Sequence, residues 1–238
     1  ADPEGFLIGL VDDEPVATLS AVRHGDSFGF LGFYIVRPEY RGQGHGLRIR
    51  NEAMKRLAGR NVGLDGVVEQ QENYRKSGFK LAYRNVRYEG RGGGAGALAP
   101  EVIELATLPF EAVESYDRPF FPAARNAFLR CWIRQPESKA LGLVRDGRLT
   151  GYGVRRRCRS GHKIGPLFAD RPEDAETLFH ALTSGLGSDE PVFLDVPEVN
   201  PEAVALAERH GMTVVFETAR MYTGPAPELP LERLFGVT

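Results

Sequence analysis

The sequence predicts an α+β chain built from two related halves, and three observations predict it. Residues 1–90 alternate short apolar runs with turn residues and contain one strand–turn–helix–strand passage. Arg91 to Pro100, RGGGAGALAP, is a glycine-rich break with neither a helical nor a strand period. Beyond it, short motifs of the first half return at a fixed spacing. The expected organisation is a first domain over residues 1–90, a linker over 91–100 and a second domain over 101–238.

In the first half, Ile8 to Val11 and Val16 to Val22 are apolar runs separated by Asp12-Asp13-Glu14, which predicts a hairpin. His24-Gly25-Asp26 turns the chain into Phe28–Val36, nine residues that are all apolar or glycine and therefore read as a strand buried on both faces. Arg37 and Pro38 end it. From Gly46 onward Leu47, Ile49, Ala53, Met54 and Leu57 fall at helical spacing up to Gly59, a C′ residue. Val62 to Val68 is the next strand, parallel to Phe28–Val36 because a helix joins them. Asn73 to Phe79 is a short helical turn closed by Gly78, and Leu81 to Tyr88 a last strand.

The second half repeats this plan. Gly142, Val144 and Asp146 stand 133 residues after Gly9, Val11 and Asp13. At the same spacing Ile164-Gly165 matches Leu31-Gly32, Gly211-Met212 matches Gly78-Phe79, and Arg220 matches Arg87. Leu194-Asp195 stands 130 after Leu64-Asp65, so a small length change intervenes. Ala175, Leu178, Phe179 and Leu182 form a helical stripe after Pro172. Asn200 as N-cap, Pro201 at N1, Glu202 in the first turn, His210 in the last and Gly211 at C′ frame a second helix. Glu101 to Ala140, with Phe128, Cys131 and Trp132, predicts a strand and one or two helices that have no counterpart in the first half. The expectation is that a comparable segment precedes residue 1.

Composition narrows the partners. A formal net charge of −2 gives no general attraction to nucleic acid or to an anionic membrane surface. Cys131 and Cys158 are too few for a disulfide framework and match no metal-ligand spacing, so they read as buried or inert thiols and no metal is expected. No run has the length of a membrane span, and no basic-then-apolar leader opens the chain, which makes the cytoplasm the default location.

The chemistry concentrates in Arg41-Gly42-Gln43-Gly44-His45-Gly46, between the central strand and its helix. Three glycines in five residues allow a tight turn and close approach of a ligand to the backbone, and the following helix offers free N–H groups to an anion. Purely steric turns use glycine as well. The dinucleotide fingerprint would need Gly-x-Gly-x-x-Gly after the first strand, and a Walker loop would need Gly-Lys-Ser/Thr, so neither fits. Val36-x-Pro38-x-Tyr40-Arg41-Gly42-Gln43-Gly44-x-Gly46 closely resembles the acyl-CoA loop of the GNAT superfamily of N-acyltransferases, and Tyr74-Arg-Lys-Ser-Gly-Phe79 resembles that family's Tyr-x-x-x-Gly-Phe.

The resemblance implies two GNAT-like α+β domains, each a mixed, mostly antiparallel sheet flanked by helices. It implies an N-acetyltransferase that moves an acetyl group from acetyl-CoA to a primary amine, on a small molecule or a protein, by direct attack in a ternary complex. Arg41, Gly42, Gln43, Gly44, His45 and Gly46 would hold the CoA phosphates. Backbone N–H groups around Ile35 and Val36 would serve the pantetheine and the oxyanion, and Asn73 would cap its helix or contact CoA. Tyr74 would be the acid for the departing thiolate, or else a tyrosine packed under the sheet. The amine arrives protonated, with a pKa of about 10.4, and Glu69 or Tyr34, acting through water, are the candidate bases. His45 is expected to point outward from the loop. In the second half Arg41, Gly42, Gly44, Gly46 and Tyr74 become Asp174, Ala175, Thr177, Phe179 and Ala207, so that copy is expected to have lost the transfer. Arg155, Arg157 and Arg159 form either a solvated face or an anion site, and Asp117-Arg118 either a local pair or a cleft contact. A non-catalytic acyl-CoA sensor and a scaffold remain alternatives.

Overall fold

The computed structural model describes residues 2–93 and 99–238; residues 94–98 of the expected linker lie outside the described residues. The chain forms two compact units. The first contains residues up to Ala82 together with Pro122–Arg125 and Ala219–Pro227, and the second contains Tyr83–Phe121, Asn126–Thr218 and Glu228–Thr238. These units cut across the sequence halves, because the last strand of each half is placed with the other half's sheet.

In the first unit, β1 (Phe6–Val11), β2 (Glu14–His24) and β3 (Phe28–Val36) form an antiparallel meander. Helix α1 (His45–Arg56) then carries the chain back to β4 (Asn61–Val67), which pairs with β3 in parallel. Helix α2 (Gln71–Lys76) leads into β5 (Lys80–Arg91). The strand beside β4 is the end of β11 (Thr213–Tyr222), and Thr223 donates its N–H to Val62 O at 3.0 Å. Ile49 and Ala53 of α1, with Leu57 just past its end, pack against Leu19, Leu31 and Leu64 of the sheet, with Ala219 and Met221 of β11 in the same core. The other face carries Phe6, Ile8 and Leu10, all exposed. Ile8, Thr18 and Ile35 lie in one cross-strand row of that face.

The second unit has the strand order β5-β10-β9-β8-β7-β6: β6 (Val102–Glu104), β7 (Ser138–Arg145), β8 (Arg148–Arg157), β9 (His162–Ala169) and β10 (Pro191–Pro197), with β12 (Leu234–Gly236) beside β9. Helices α5 (Pro172–Thr183) and α6 (Pro201–Arg209) cover one face through Leu178, Leu182 and Leu206. Helices α3 (Phe110–Asp117) and α4 (Asn126–Trp132) cover the other through Val113 and Leu129, packed with Tyr152 and Val154. The Asn200 cap forms as the sequence predicts: its Oδ1 accepts from the N–H groups of Glu202 and Ala203 at 3.1 and 3.2 Å.

The strand placement explains the repeat. Arg87 of β5 makes a two-pronged ion pair with Asp195 of β10, at 2.7 and 2.8 Å. Its counterpart Arg220 of β11 does the same with Asp65 of β4, at 2.6 and 2.7 Å. Each matched arginine thus binds the matched aspartate of the other sequence half. No helix among the described residues is long and apolar enough to cross a membrane.

Some expectations change. Strand β3 is buried on both faces only near its start; Phe33 and Ile35 are 71% and 57% exposed, because the strand leaves β4 after Leu31. Cys131 is exposed, not buried. Arg155 does not lie on a solvated face: its guanidinium donates to Leu182 O at 2.7 Å, at the C-terminal end of α5. Arg157 pairs with Glu137, and Arg159 lies past the end of β8. Asp117 is buried and accepts the Tyr152 hydroxyl at 2.5 Å, while Arg118 donates to Phe121 O.

Candidate active site

The parallel pairing of β3 with β4 runs from Phe28/Asn61 to Leu31/Leu64 and no further. Beyond it the two strands diverge and leave backbone groups on the facing edges of a notch. A bulge begins the divergence: the β2–β3 register slips between Thr18 and Ser20, and Phe33 takes φ +49°. That conformation costs a non-glycine residue about 1 kcal/mol, and the Thr18 hydroxyl holds it by donating to Phe33 O at 3.0 Å. Arg37 donates its N–H to Val16 O on β2 at 2.9 Å. Successive strand N–H groups point to opposite sides, so the Val36 N–H faces the notch.

The glycine loop closes one end of the notch. Pro38–Tyr40 form one 3-10 turn, Gly42 and Gly44 then take φ +74° and +84°, and α1 begins at His45. The first α1 hydrogen bond is Arg48 N–H to Gly44 O at 3.1 Å. The N–H groups of His45, Gly46 and Leu47 therefore have no acceptor within the helix. No acidic residue sits in that first turn, and no atom lies within 4 Å of where a side chain on Gly42 or Gly44 would begin. An open, glycine-lined helix N-terminus of this kind fits a CoA pyrophosphate. The Arg41 side chain turns inward, its Nε donating to Val36 O at 3.0 Å, and the Gln43 side chain donates to Glu39 O. His45 does not point freely outward; its ring packs edge-on against Tyr40 at 5.9 Å.

Tyr74 lies on α2 with its ring against Gly66 of β4 and edge-on to Phe79 at 6.3 Å. A Cβ on Gly66 would stand 2.3 Å from Tyr74 Cε2, so only glycine admits the ring there. Burial pushes the Tyr74 phenol above its ordinary pKa, and the neighbouring Tyr34 adds to this. Tyr34 is raised by burial too, against the opposing charge of Arg50, and it sits against α1, where a Cβ on Gly46 would be 2.9 Å from its hydroxyl. Glu69 lies exposed in a one-turn helix between β4 and α2, without an ion pair among the described residues. Asn73 does not cap α2, which starts after Gln70; its amide donates to Gln70 Oε1 at 2.7 Å.

The structure thus brings Ile35, Val36, the 41–46 loop, Tyr34 and Tyr74 around one notch. Sequence reasoning missed Gly66, although a glycine inside a strand is the usual sign of close approach. It also missed Arg50, which donates to the Ser77 hydroxyl, while Ser77 in turn donates to Asn73 O, tying α1 to α2. A separate cavity of about 330 Å³, lined by Lys80, Leu81, Tyr222 and Pro225 among others, shares no residue with the notch.

Residues 113–236 match the model of an acetyltransferase (GNAT) domain, and residues 1–79 match that of the acetyltransferase (GNAT) family. The chain belongs to the GNAT family. As such it is an acyl-CoA-dependent N-acyltransferase of the tandem type. It is 32% identical over 228 residues to a holothin acyltransferase from a Pseudoalteromonas strain, covering 95% of this chain and 77% of that one. An acetyltransferase candidate from Pyrococcus horikoshii superposes with TM-score 0.85 at 24% identity, over 99% of this chain and 79% of the other. A tandem GNAT protein from the clavulanic acid biosynthesis pathway superposes with TM-score 0.67 at 15% identity, over 95% and 86% of the two chains.

The start of the corresponding helix differs in the second unit. There α5 starts at Pro172, which has no N–H to offer, and Asp174 stands buried in the first turn, held by Arg145 at 2.8 Å. Phe179 and Ala207 are core residues. At the spacing of 133 residues the open Gly42 and Gly44 become Ala175 and Thr177, both inside α5.

Proposed function

We propose that the first unit transfers an acetyl group from acetyl-CoA to a primary amine by direct attack, and that the second unit no longer performs transfer. The observation that carries this reading is the divergence of β3 from β4 beside an open glycine-lined helix N-terminus and a Tyr74 ring set against Gly66. The N–H groups of His45, Gly46 and Leu47 would hold the pyrophosphate, with Gly42, Gln43 and Gly44 shaping the turn and Arg41 fixing it to Val36. The edge of β3 at Ile35 and Val36 would take the pantetheine, and the Val36 N–H would donate to the thioester oxygen as negative charge develops there.

In the step itself, the amine nitrogen forms a bond to the thioester carbon and the C–S bond breaks. The ammonium must first lose a proton, for which the exposed Glu69 is the acceptor through water. The Tyr74 hydroxyl donates to the sulfur as it leaves, the amide nitrogen's surplus proton restores the Tyr74 phenol through water, and the proton held by Glu69 passes to solvent. Asn73, bonded to Gln70, would at most line the CoA entrance. The acceptor class is an amine on a small molecule or a protein, and the relative named holothin acyltransferase supports acyl transfer as the reaction class. The 1–90 and 101–238 division is kept as the boundary of the two ancestral copies, and a cytoplasmic location as the setting.

The test is calorimetry with acetyl-CoA on the full chain and on Gly44→Glu. Binding that vanishes in the variant supports the loop as the CoA site, because Gly44 at φ +84° would gain both a strained side chain and a repelling charge. Binding that survives in Gly44→Glu, or no binding at all, would refute the reading.

A further inference from the structure

The second unit holds a cluster that the transfer reaction does not use. Glu176 and His180 are one turn apart on α5, and His210 follows the last turn of α6. One donor atom from each lies within 4.8 Å of the other two. Glu176 Oε1 is 2.5 Å from His210 Nε2 and 3.7 Å from His180 Nε2. The imidazoles meet edge to face with centroids 5.1 Å apart. A tetrahedral zinc ion bound at about 2.0–2.1 Å sets its ligands about 3.3 Å from one another. The cluster brackets that spacing, and small side-chain rotations would bring it there.

We propose that Glu176, His180 and His210 form a zinc-binding site that clamps α5 to the end of α6. The surroundings suit a metal ion. Arg209 takes Glu176 Oε2 at 3.0 Å, which orients the carboxylate and leaves Oε1 turned to the imidazoles. The Phe179 ring packs against His210 at 4.4 Å and fixes its plane. The C-terminal end of α6, negative by its dipole, faces the same point. His180 is exposed, so a fourth position is open to water. Two imidazoles and one carboxylate favour zinc over magnesium or calcium, which prefer oxygen ligands.

The cluster lies in the body of α5 and at the end of α6, whereas the loop proposed to bind the pyrophosphate lies at the start of α1, so the two sites are different places in the repeated plan.

The experiment uses the full chain, stripped with a chelator, titrated with zinc chloride and separately with magnesium chloride by calorimetry, with melting curves beside each. One equivalent of zinc is expected to bind and to raise the melting temperature by about 5 °C at a hundredfold excess over Kd. His180→Ala removes an exposed side chain and keeps the fold. It and Glu176→Gln are expected to weaken zinc binding beyond the roughly 10–100-fold typical of outer-sphere changes. Absence of zinc binding to the wild type, zinc binding unchanged in both variants, or magnesium bound as tightly as zinc would each overturn the proposal.

Discussion

Replacing Gly66 by alanine isolates the position of Tyr74 from its chemistry. The new Cβ would stand 2.3 Å from Tyr74 Cε2 and 2.8 Å from Cδ2, where ordinary contact begins near 3.4 Å. The ring must therefore withdraw by about 1 Å, or α2 must move with it. Overpacking of this kind costs about 1–3 kcal/mol of stability. The displacement is expected to lower turnover by about 100-fold, equivalent to about 2.7 kcal/mol of barrier. Acetyl-CoA affinity should hold, because the 41–46 loop is untouched. The assay is thiol release from acetyl-CoA with the best acceptor from a primary-amine screen, run on wild type, Gly66→Ala, Tyr74→Phe and the double variant, each first shown to be folded by its melting curve. If Gly66 acts through Tyr74, the double variant is no slower than Tyr74→Phe. A folded Gly66→Ala enzyme within about threefold of wild-type turnover would refute the acid role of Tyr74, as would full multiplication of the two effects in the double variant.

Further outcomes concern stability. Burial alone would raise the Asp195 pKa, but the hydrogen bonds and charges of Arg87 and Lys163 outweigh it and hold the carboxyl below its ordinary value of 3.8. The native pKa is thus depressed, so the contribution is complete above about pH 4 and is lost as pH falls through the native value. Asp195→Asn is expected to cost about 3–5 kcal/mol in urea melts at pH 7, with the gap to wild type closing below pH 3.8; a gap that persists there would contradict the sign. Asn200→Ala should cost about 2–3 kcal/mol, because it strips the α6 cap and leaves the carbonyls of Leu234 and Glu232 without their donor. Asn200→Asp keeps the cap but sets a carboxylate against those carbonyls, so equal stability of Asn200→Asp and wild type in the same melts would refute that account.

Much of this was legible in the sequence where local chemistry decides. The bounds of β3 match its apolar run, and Asn200, Pro201 and Gly211 frame α6 because caps are set by side chains within a turn of the helix end. The glycine loop was legible too, since Gly42 and Gly44 occupy backbone angles that other residues avoid. What stayed hidden depends on distant partners. Nothing local announces that β3 leaves β4 after Leu31, or that Phe33 turns into a bulge held by Thr18. The arginine run 155–159 looked like a charged face because its acceptor, the end of α5, lies in another element. The matches of Arg87 with Arg220 and Asp65 with Asp195 were visible as repeats, but not as partners, because a repeat does not say which strand lies beside which.

The crossed placement of the last strands sets how the chain reaches its native state. The Arg220–Asp65 contact spans 155 residues of chain and the Arg87–Asp195 contact 108. During synthesis, the free edge of β4 has no native neighbour until β11 has left the ribosome, so the first sheet waits for almost the whole chain to be made. Such long-range closure predicts slow folding and an interval in which bare strand edges invite wrong pairing. It also means that cutting in the glycine-rich segment yields two fragments that are each short of a strand. Neither fragment should be stable alone, whereas co-expression of both should restore a folded pair.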